Sequence, residues 1–212
     1  MAILSKKESE IFLLLFKDFT SAYNANSISK HLQITSRGAL RALKAMDKEE
    51  IVIGNRLGKA VFYKINFQNI GAQKLIEMLI YRESKNYLRW VEELRDLFPY
   101  VKILILFGSV LKNEKAANDI DVLAVYEKIH NNKIQKIVSE KLTVLSRKIH
   151  LIRQTPEDFA KNIQKADKVI LGAIRVGIVL NAGEAAEAIN GARNLRQVIE
   201  NFAGTQPGAL VP

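Results

Sequence analysis

Ile103-Leu104-Ile105-Leu106-Phe107-Gly108-Ser109 and, after nine intervening residues, Asp119-Ile120-Asp121-Val122-Leu123-Ala124-Val125 decide how the larger part of the chain folds. Both runs are short, apolar and rich in β-branched or aromatic residues, which predicts two buried strands. The first ends on glycine, a residue that brings backbone close to a phosphate, with exposed N–H groups beyond it to cradle the anion. Ser109 adds a hydroxyl that can donate to a phosphate oxygen. The second run opens with two aspartates one residue apart, so on a strand both carboxylates point to the same face. Paired carboxylates suit a pair of hard cations about 3.5–4 Å apart, the arrangement that supports in-line phosphoryl displacement. The competing reading is a tight turn followed by a surface acidic pair. Acidic residues are depleted in strands and two on one face repel, which argues against it.

Gly-Ser, nine residues and Asp-x-Asp between two apolar strands resembles the nucleotidyltransferase superfamily that includes DNA polymerase beta, and in particular its small minimal branch. The resemblance spans about residues 95–185. It implies transfer of a nucleoside monophosphate from a nucleoside triphosphate to a hydroxyl. It also implies magnesium as cofactor, Asp119 and Asp121 as metal-binding and catalytic residues, and Gly108 and Ser109 as nucleotide-binding residues. The family places a third carboxylate on the next core strand. The matching run here is Lys148-Ile149-His150-Leu151-Ile152, which puts His150 in that place. An imidazole can serve as general base at neutral pH, so His150 joins the candidate catalytic set. Two alternatives stay open: a lost or weakened activity, and a plain strand residue. If this strand pairs with the one opening at Asp119, alternation puts His150 beside the aspartates and turns Ile149 and Leu151 toward a helix.

Around this motif the pattern alternates. Helix is expected over residues 72–98, bent or exposed near Arg82–Asn86 and ended by Pro99. Strands follow at Val101–Phe107 and Ile120–Tyr126, a helix at about Asn132–Arg147, and a strand at Ile149–Arg153. Thr155 caps one continuous helix over about Pro156–Ala173, with Pro156 at its first position. Glu157 and Asp158 suit that helix start and need no catalytic role. A short apolar run at Val176–Leu180 precedes a last helix starting near Gly183. Gly204–Pro212 has no periodicity and reads as a disordered or vector-derived tail.

Residues 1–67 have a different grammar. Ser5 caps a helix to Asp18, with Glu8 completing a capping box. Asn26 or Ser27 caps a short second helix, and Thr35 or Ser36 caps a third that runs to about Lys48. Ile51–Ile53 and Val61–Ile65 then form a hairpin around the seven-residue loop Gly54–Ala60. On the third helix Arg37, Arg41, Lys44 and Lys48 fall on one stripe, while Ala39, Leu40, Leu43 and Met46 are expected to face helix one. A helix apolar on one side and basic on the other suits the major groove, where Arg reads guanine edges and Lys pairs with phosphates. Arg56 and Lys59 sit where a wing would meet the adjacent backbone or minor groove, and Ser36, at the start of the helix, joins the candidate DNA-binding residues. These residues hold 11 Lys and Arg against 6 Asp and Glu, a net of +5 (11 − 6). The order helix, helix, turn, basic helix, hairpin resembles the winged helix-turn-helix regulators, which implies duplex DNA as partner. A solvated basic face on a fold that serves protein contacts is the alternative.

The whole chain carries +10 over 212 residues, with 48% hydrophobic and 25% charged residues. That is the profile of a soluble protein, whose positive balance favours association with polyanions, with a solvated lysine-rich surface as the alternative. Its longest apolar run, Ile11–Phe16, is too short to span a bilayer, and Met1–Lys7 lacks a secretory signal, so a cytoplasmic protein without membrane contact is expected. There are no cysteines and three scattered histidines, which excludes disulfides and thiolate metal sites. The expected architecture is α+β: a winged helix-turn-helix at 1–67, a helical connector at 68–98, a nucleotidyltransferase-like mixed sheet flanked by helices at 99–203, and a tail at 204–212. Expected partners are a nucleoside triphosphate, duplex DNA, and, as further candidates, an acceptor protein and a second copy of the chain. Two rival functions remain: a regulator whose degenerate transferase-like domain senses nucleotide or dimerises, and an antitoxin-type modifier of a partner protein.

Overall fold

The capping box at the amino terminus forms as its residues dictate. The Ser5 side chain accepts from the Glu8 N–H, and the Glu8 carboxylate accepts from the Ser5 N–H at 2.8 Å. A computed structural model describes residues 4–114, 117–145, 147–181 and 189–205. The fold is mixed α+β with two sheets. It divides into two compact units, one of Met1–Leu79 with Ile199–Pro212, the other of Ile80–Val198.

The first unit begins with α1 (Lys6–Lys17), the two-residue β1 (Tyr23–Asn24), α2 (Ala25–His31) and α3 (Ser36–Lys48). Asn24 caps α2 by accepting from the Asn26 and Ser27 N–H groups. Thr35 caps α3 through the Gly38 N–H. Ile11, Phe12 and Phe16 of α1, Ile28 of α2, and Ala39, Leu43 and Met46 of α3 are buried and form the core of this unit. The hairpin β2 (Val52–Leu57) and β3 (Ala60–Ile65) forms a sheet in the order β1-β3-β2.

The expected seven-residue hairpin loop shrinks to two residues. Leu57 pairs with Ala60, and Gly58 takes a left-handed φ of 60° at the first central position of the turn. Gly54 is paired strand, opposite Tyr63. A Cβ there would meet the Tyr63 ring at 3.0 Å and Val61 at 3.1 Å, so this glycine marks close packing of side chains over the backbone.

α4 (Ile70–Ser84) carries the chain from the first unit to the second. The expected helix over 72–98 is broken into α4, a 3-10 turn, α5 (Leu88–Glu93) and a second 3-10 segment containing Pro99. At the first break the buried Ser84 hydroxyl bonds back to the Tyr81 carbonyl, which competes with the helical ladder. β4 (Ile103–Phe107), β5 (Asp119–Val125), α6 (Asn131–Val144) and β6 (Lys148–Gln154) follow.

The expected single helix after Thr155 is two helices, α7 (Pro156–Gln164) and α8 (Lys168–Val176). Ala166 between them takes a φ of 53°, and the Asp167 carboxylate accepts from the Val169 and Ile170 N–H groups to start α8. β7 (Ile178–Val179) then joins the sheet, and α9 (Ile189–Thr205) ends the described chain. The expected helix start near Gly183 lies outside the described residues. So does the expected tail from Gln206 onward, whereas Gly204 and Thr205 are helical.

The sheet order is β6-β5-β4-β7, with β5 and β6 parallel and the other pairs antiparallel. Leu104, Leu106, Ile120, Val122, Ala124 and Ile149 lie in one core with Ile134 and Val138 of α6, so α6 covers that sheet face. Among the described residues no helix is long and apolar enough to cross a membrane.

Candidate active site

The turn after β4 is built on Gly108. Its φ is 83°, a region that side chains disfavour, and a Cβ on it would lie 2.1 Å from Oδ2 of Asp121. Glycine is therefore required twice, for the backbone path and for the carboxylate resting against it. Ser109 follows at the start of a 3-10 turn, exposed, with no hydrogen bond to its hydroxyl among the described residues. The turn is closed through its carbonyl, which accepts from the Lys112 and Asn113 N–H groups.

Phe107 pairs with Asp121 across the antiparallel β4–β5 ladder, which delivers the second aspartate to the turn. Ile120 and Val122 are buried on the α6 side, so Asp119 and Asp121 share the opposite face. Asp119 is exposed and Asp121 half-buried. The parallel β5–β6 register sets Lys148 against Asp119 and His150 against Asp121. His150 Nδ1 lies 3.1 Å from Asp121 Oδ1, with the imidazole otherwise open to solvent. Ile149 is buried and Leu151 half-buried against the core under α6, while His150 turns the other way, as alternation requires. The structure thus brings Gly108, Asp121 and His150 into contact, with Ser109 and Asp119 at the same corner of the sheet. Among the described residues no three His, Asp or Glu side chains converge on one point that could hold a metal ion.

Lys148 is the residue the sequence reading passed over. Period-two alternation back from His150 would have found it, because residues 148, 150 and 152 share a face.

In the first unit Ser36, Arg37, Arg41, Lys44 and Lys48 are all exposed along α3, and Arg56 and Lys59 are exposed on the hairpin. The Ser36 hydroxyl is 2.9 Å from that of Ser29 on α2, and Arg56 Nε donates to the Gly58 carbonyl at 3.3 Å. Leu40 departs from expectation. It is 38% exposed, and Ala42 takes the place on the buried side instead. At 100° per residue, Leu40 stands about 60° from Arg37 on the outward side and Ala42 about 140° away, which accounts for the exchange.

No curated protein matches the chain. A solved structure, that of a cysteine-to-serine mutant of Lactococcus lactis ZitR, is similar at 15% identity and a TM-score of 0.34, over 68% of this chain and 76% of that one. Residues 91–174 match the model of the family "Polymerase beta, Nucleotidyltransferase", and Gly108, Ser109, Asp119, Asp121 and His150 all lie within the matched segment.

Proposed function

We propose that the protein is a DNA-binding nucleotidyltransferase. Its second unit transfers a nucleoside monophosphate from a nucleoside triphosphate to a hydroxyl acceptor, with magnesium. The observation that carries this reading is the corner where Asp121 rests on Gly108 and holds His150. Hard carboxylate oxygens at Asp119 and Asp121 fit magnesium, which keeps several waters and is completed by substrate phosphates without a third protein ligand. When bound, the ion neutralises charge on the phosphates and on the departing pyrophosphate.

The rest falls to the chain. The turn at Gly108-Ser109 offers backbone and hydroxyl donors to the triphosphate. An ionised Asp121 can only accept, so Nδ1 of His150 carries the hydrogen, and in the neutral imidazole Nε2 keeps its lone pair. Nε2 then takes the proton of the acceptor hydroxyl as its oxygen attacks the α-phosphorus. The bond from that phosphorus to the bridging oxygen breaks, and pyrophosphate leaves. Asp121 orients the imidazole and stabilises its charged form, as a carboxylate does in a hydrolase triad.

For the first unit, α1, α2, α3 and the β2–β3 hairpin follow the order of a winged helix-turn-helix. The exposed stripe Arg37, Arg41, Lys44 and Lys48 supports binding of duplex DNA. Incubation with α-labelled nucleoside triphosphates, magnesium and candidate nucleic-acid and protein acceptors tests the transferase. Label should reach an acceptor with wild type and not with Asp121→Asn. Absence of transfer with every nucleotide and acceptor, alongside intact nucleotide binding, favours a second reading: a regulator that senses nucleotide. The observation behind that alternative is His150 in the place of a third carboxylate.

A further inference from the structure

The strand facing the two aspartates brings cationic chemistry where a carboxylate was expected. Lys148 and Asp119 are register partners in the parallel β5–β6 ladder, as are His150 and Asp121. Register partners point to the same side of a sheet, with strands about 4.8 Å apart. Four ionisable side chains therefore occupy one corner, acidic along β5 and basic along β6. Lys148 is exposed and its side chain makes no ion pair or hydrogen bond among the described residues. The Asp119 carboxylate is likewise without a hydrogen bond or ion pair among them. A lysine held beside a carboxylate without closing an ion pair keeps its charge available for a third group.

We propose that Lys148 is a substrate-binding residue that takes the phosphate chain of the nucleotide at the Asp119 end of the site. This rests on the nucleotidyltransferase reading and adds a residue to it. Charge supplies the reason. A triphosphate brings several negative charges to two aspartates that are themselves negative, and something must offset both. Lys148 contributes a positive charge on a flexible stem at that corner, able to reach a non-bridging phosphate oxygen. Toward magnesium alone the same ammonium acts in the opposite sense, because it repels a cation approaching Asp119.

That opposition makes the test specific. Calorimetry would measure magnesium alone, and then inorganic tripolyphosphate and ATP in the presence of magnesium. The proteins are wild type, Lys148→Ala, Lys148→Arg and Asp121→Asn. Lys148→Ala should weaken tripolyphosphate and ATP about tenfold, the loss expected for one charge-assisted contact. It should leave magnesium affinity unchanged or tighter, and Lys148→Arg should restore most of the phosphate binding. A merely structural role would weaken metal and phosphate together. The proposal is overturned if Lys148→Ala binds tripolyphosphate like wild type while Asp121→Asn loses it, or if magnesium and phosphate fall in parallel. If wild type binds neither tripolyphosphate nor ATP, or Asp121→Asn binds both unchanged, the nucleotidyltransferase reading falls and Lys148 with it.

Discussion

Replacing Gly108 with alanine perturbs the turn in two separable ways. The first is backbone: a φ of 83° lies outside the range that alanine adopts readily, at about 1–2 kcal/mol. The second is contact. The added Cβ would sit 2.1 Å from Asp121 Oδ2, 3.0 Å from its Cγ and 3.1 Å from its Cβ. Ordinary contact begins near 3.4 Å, so the carboxylate must retreat by about 1 Å. Misplacement of that size in a reacting constellation costs on the order of a hundredfold in rate. Gly108→Ala should therefore lower melting by several degrees, at roughly 3–6 °C per kcal/mol for a unit of this size, while transfer falls far more steeply. A double-mutant cycle with Asp121→Ala separates the two parts. That change removes the clashing carboxylate, so Gly108→Ala should cost less in its background, with a coupling of about 0.5–3 kcal/mol by urea denaturation. An alanine variant as stable as wild type would refute the reasoning. So would the same penalty with and without the Asp121 carboxylate.

Replacing Arg41 and Lys44 together by alanine should weaken duplex binding about ten- to a hundredfold and flatten the dependence of log K on log salt. A pooled duplex selection with no salt-sensitive binder to wild type would sink the DNA assignment. His150→Asp would place three acids at the corner and should tighten magnesium binding and raise transfer. Calorimetry with unchanged magnesium affinity would count against the placement of His150 in the metal's surroundings. Burial pushes the Tyr126 phenol up, with Arg153 pulling it down, and burial aided by Asp47 raises Tyr63. Phenols whose folded value exceeds the unfolded value of about 10 stabilise the fold fully below that pH and lose the contribution as pH rises through the folded value. Unfolding free energy should thus decline above pH of about 10, and Tyr126→Phe should flatten the decline. It should also lose about 1 kcal/mol at neutral pH with the hydrogen bond to Asn131. Parallel alkaline limbs in variant and wild type would contradict this.

The corner itself was legible because its chemistry is local. Glycine before an exposed hydroxyl and carboxylates at period two carry their geometry in the sequence, and alternation places His150 beside them once its strand pairs with β5. Ala166 was illegible for the opposite reason: alanine is the best helix former, and nothing about it announces a left-handed backbone. The signal was next to it, in Asp167, a capping residue inside an apolar periodicity that looked continuous. Gly54 misled in the other direction, since a glycine between two apolar runs reads as loop until the neighbouring Tyr63 ring is seen lying over it. Leu40 was assigned by hydrophobicity when its angle on the helix already put it outside.

Among the described residues, β6 has a neighbour on one side only, which makes it an edge of its sheet. Edge strands invite pairing with other chains, and charged side chains along them are a common deterrent. Lys148, His150 and Arg153 are exposed along this one and interrupt the apolar Ile149, Leu151 and Ile152. Stripped of Lys148 and Arg153, the same strand would read as a nearly uniform apolar segment, the sort that templates intermolecular sheet. Lys148 on the site face and Arg153 on the opposite face thus also act as a solubility device. A double neutralisation should reveal itself first as concentration-dependent self-association in sedimentation, before any change in secondary structure.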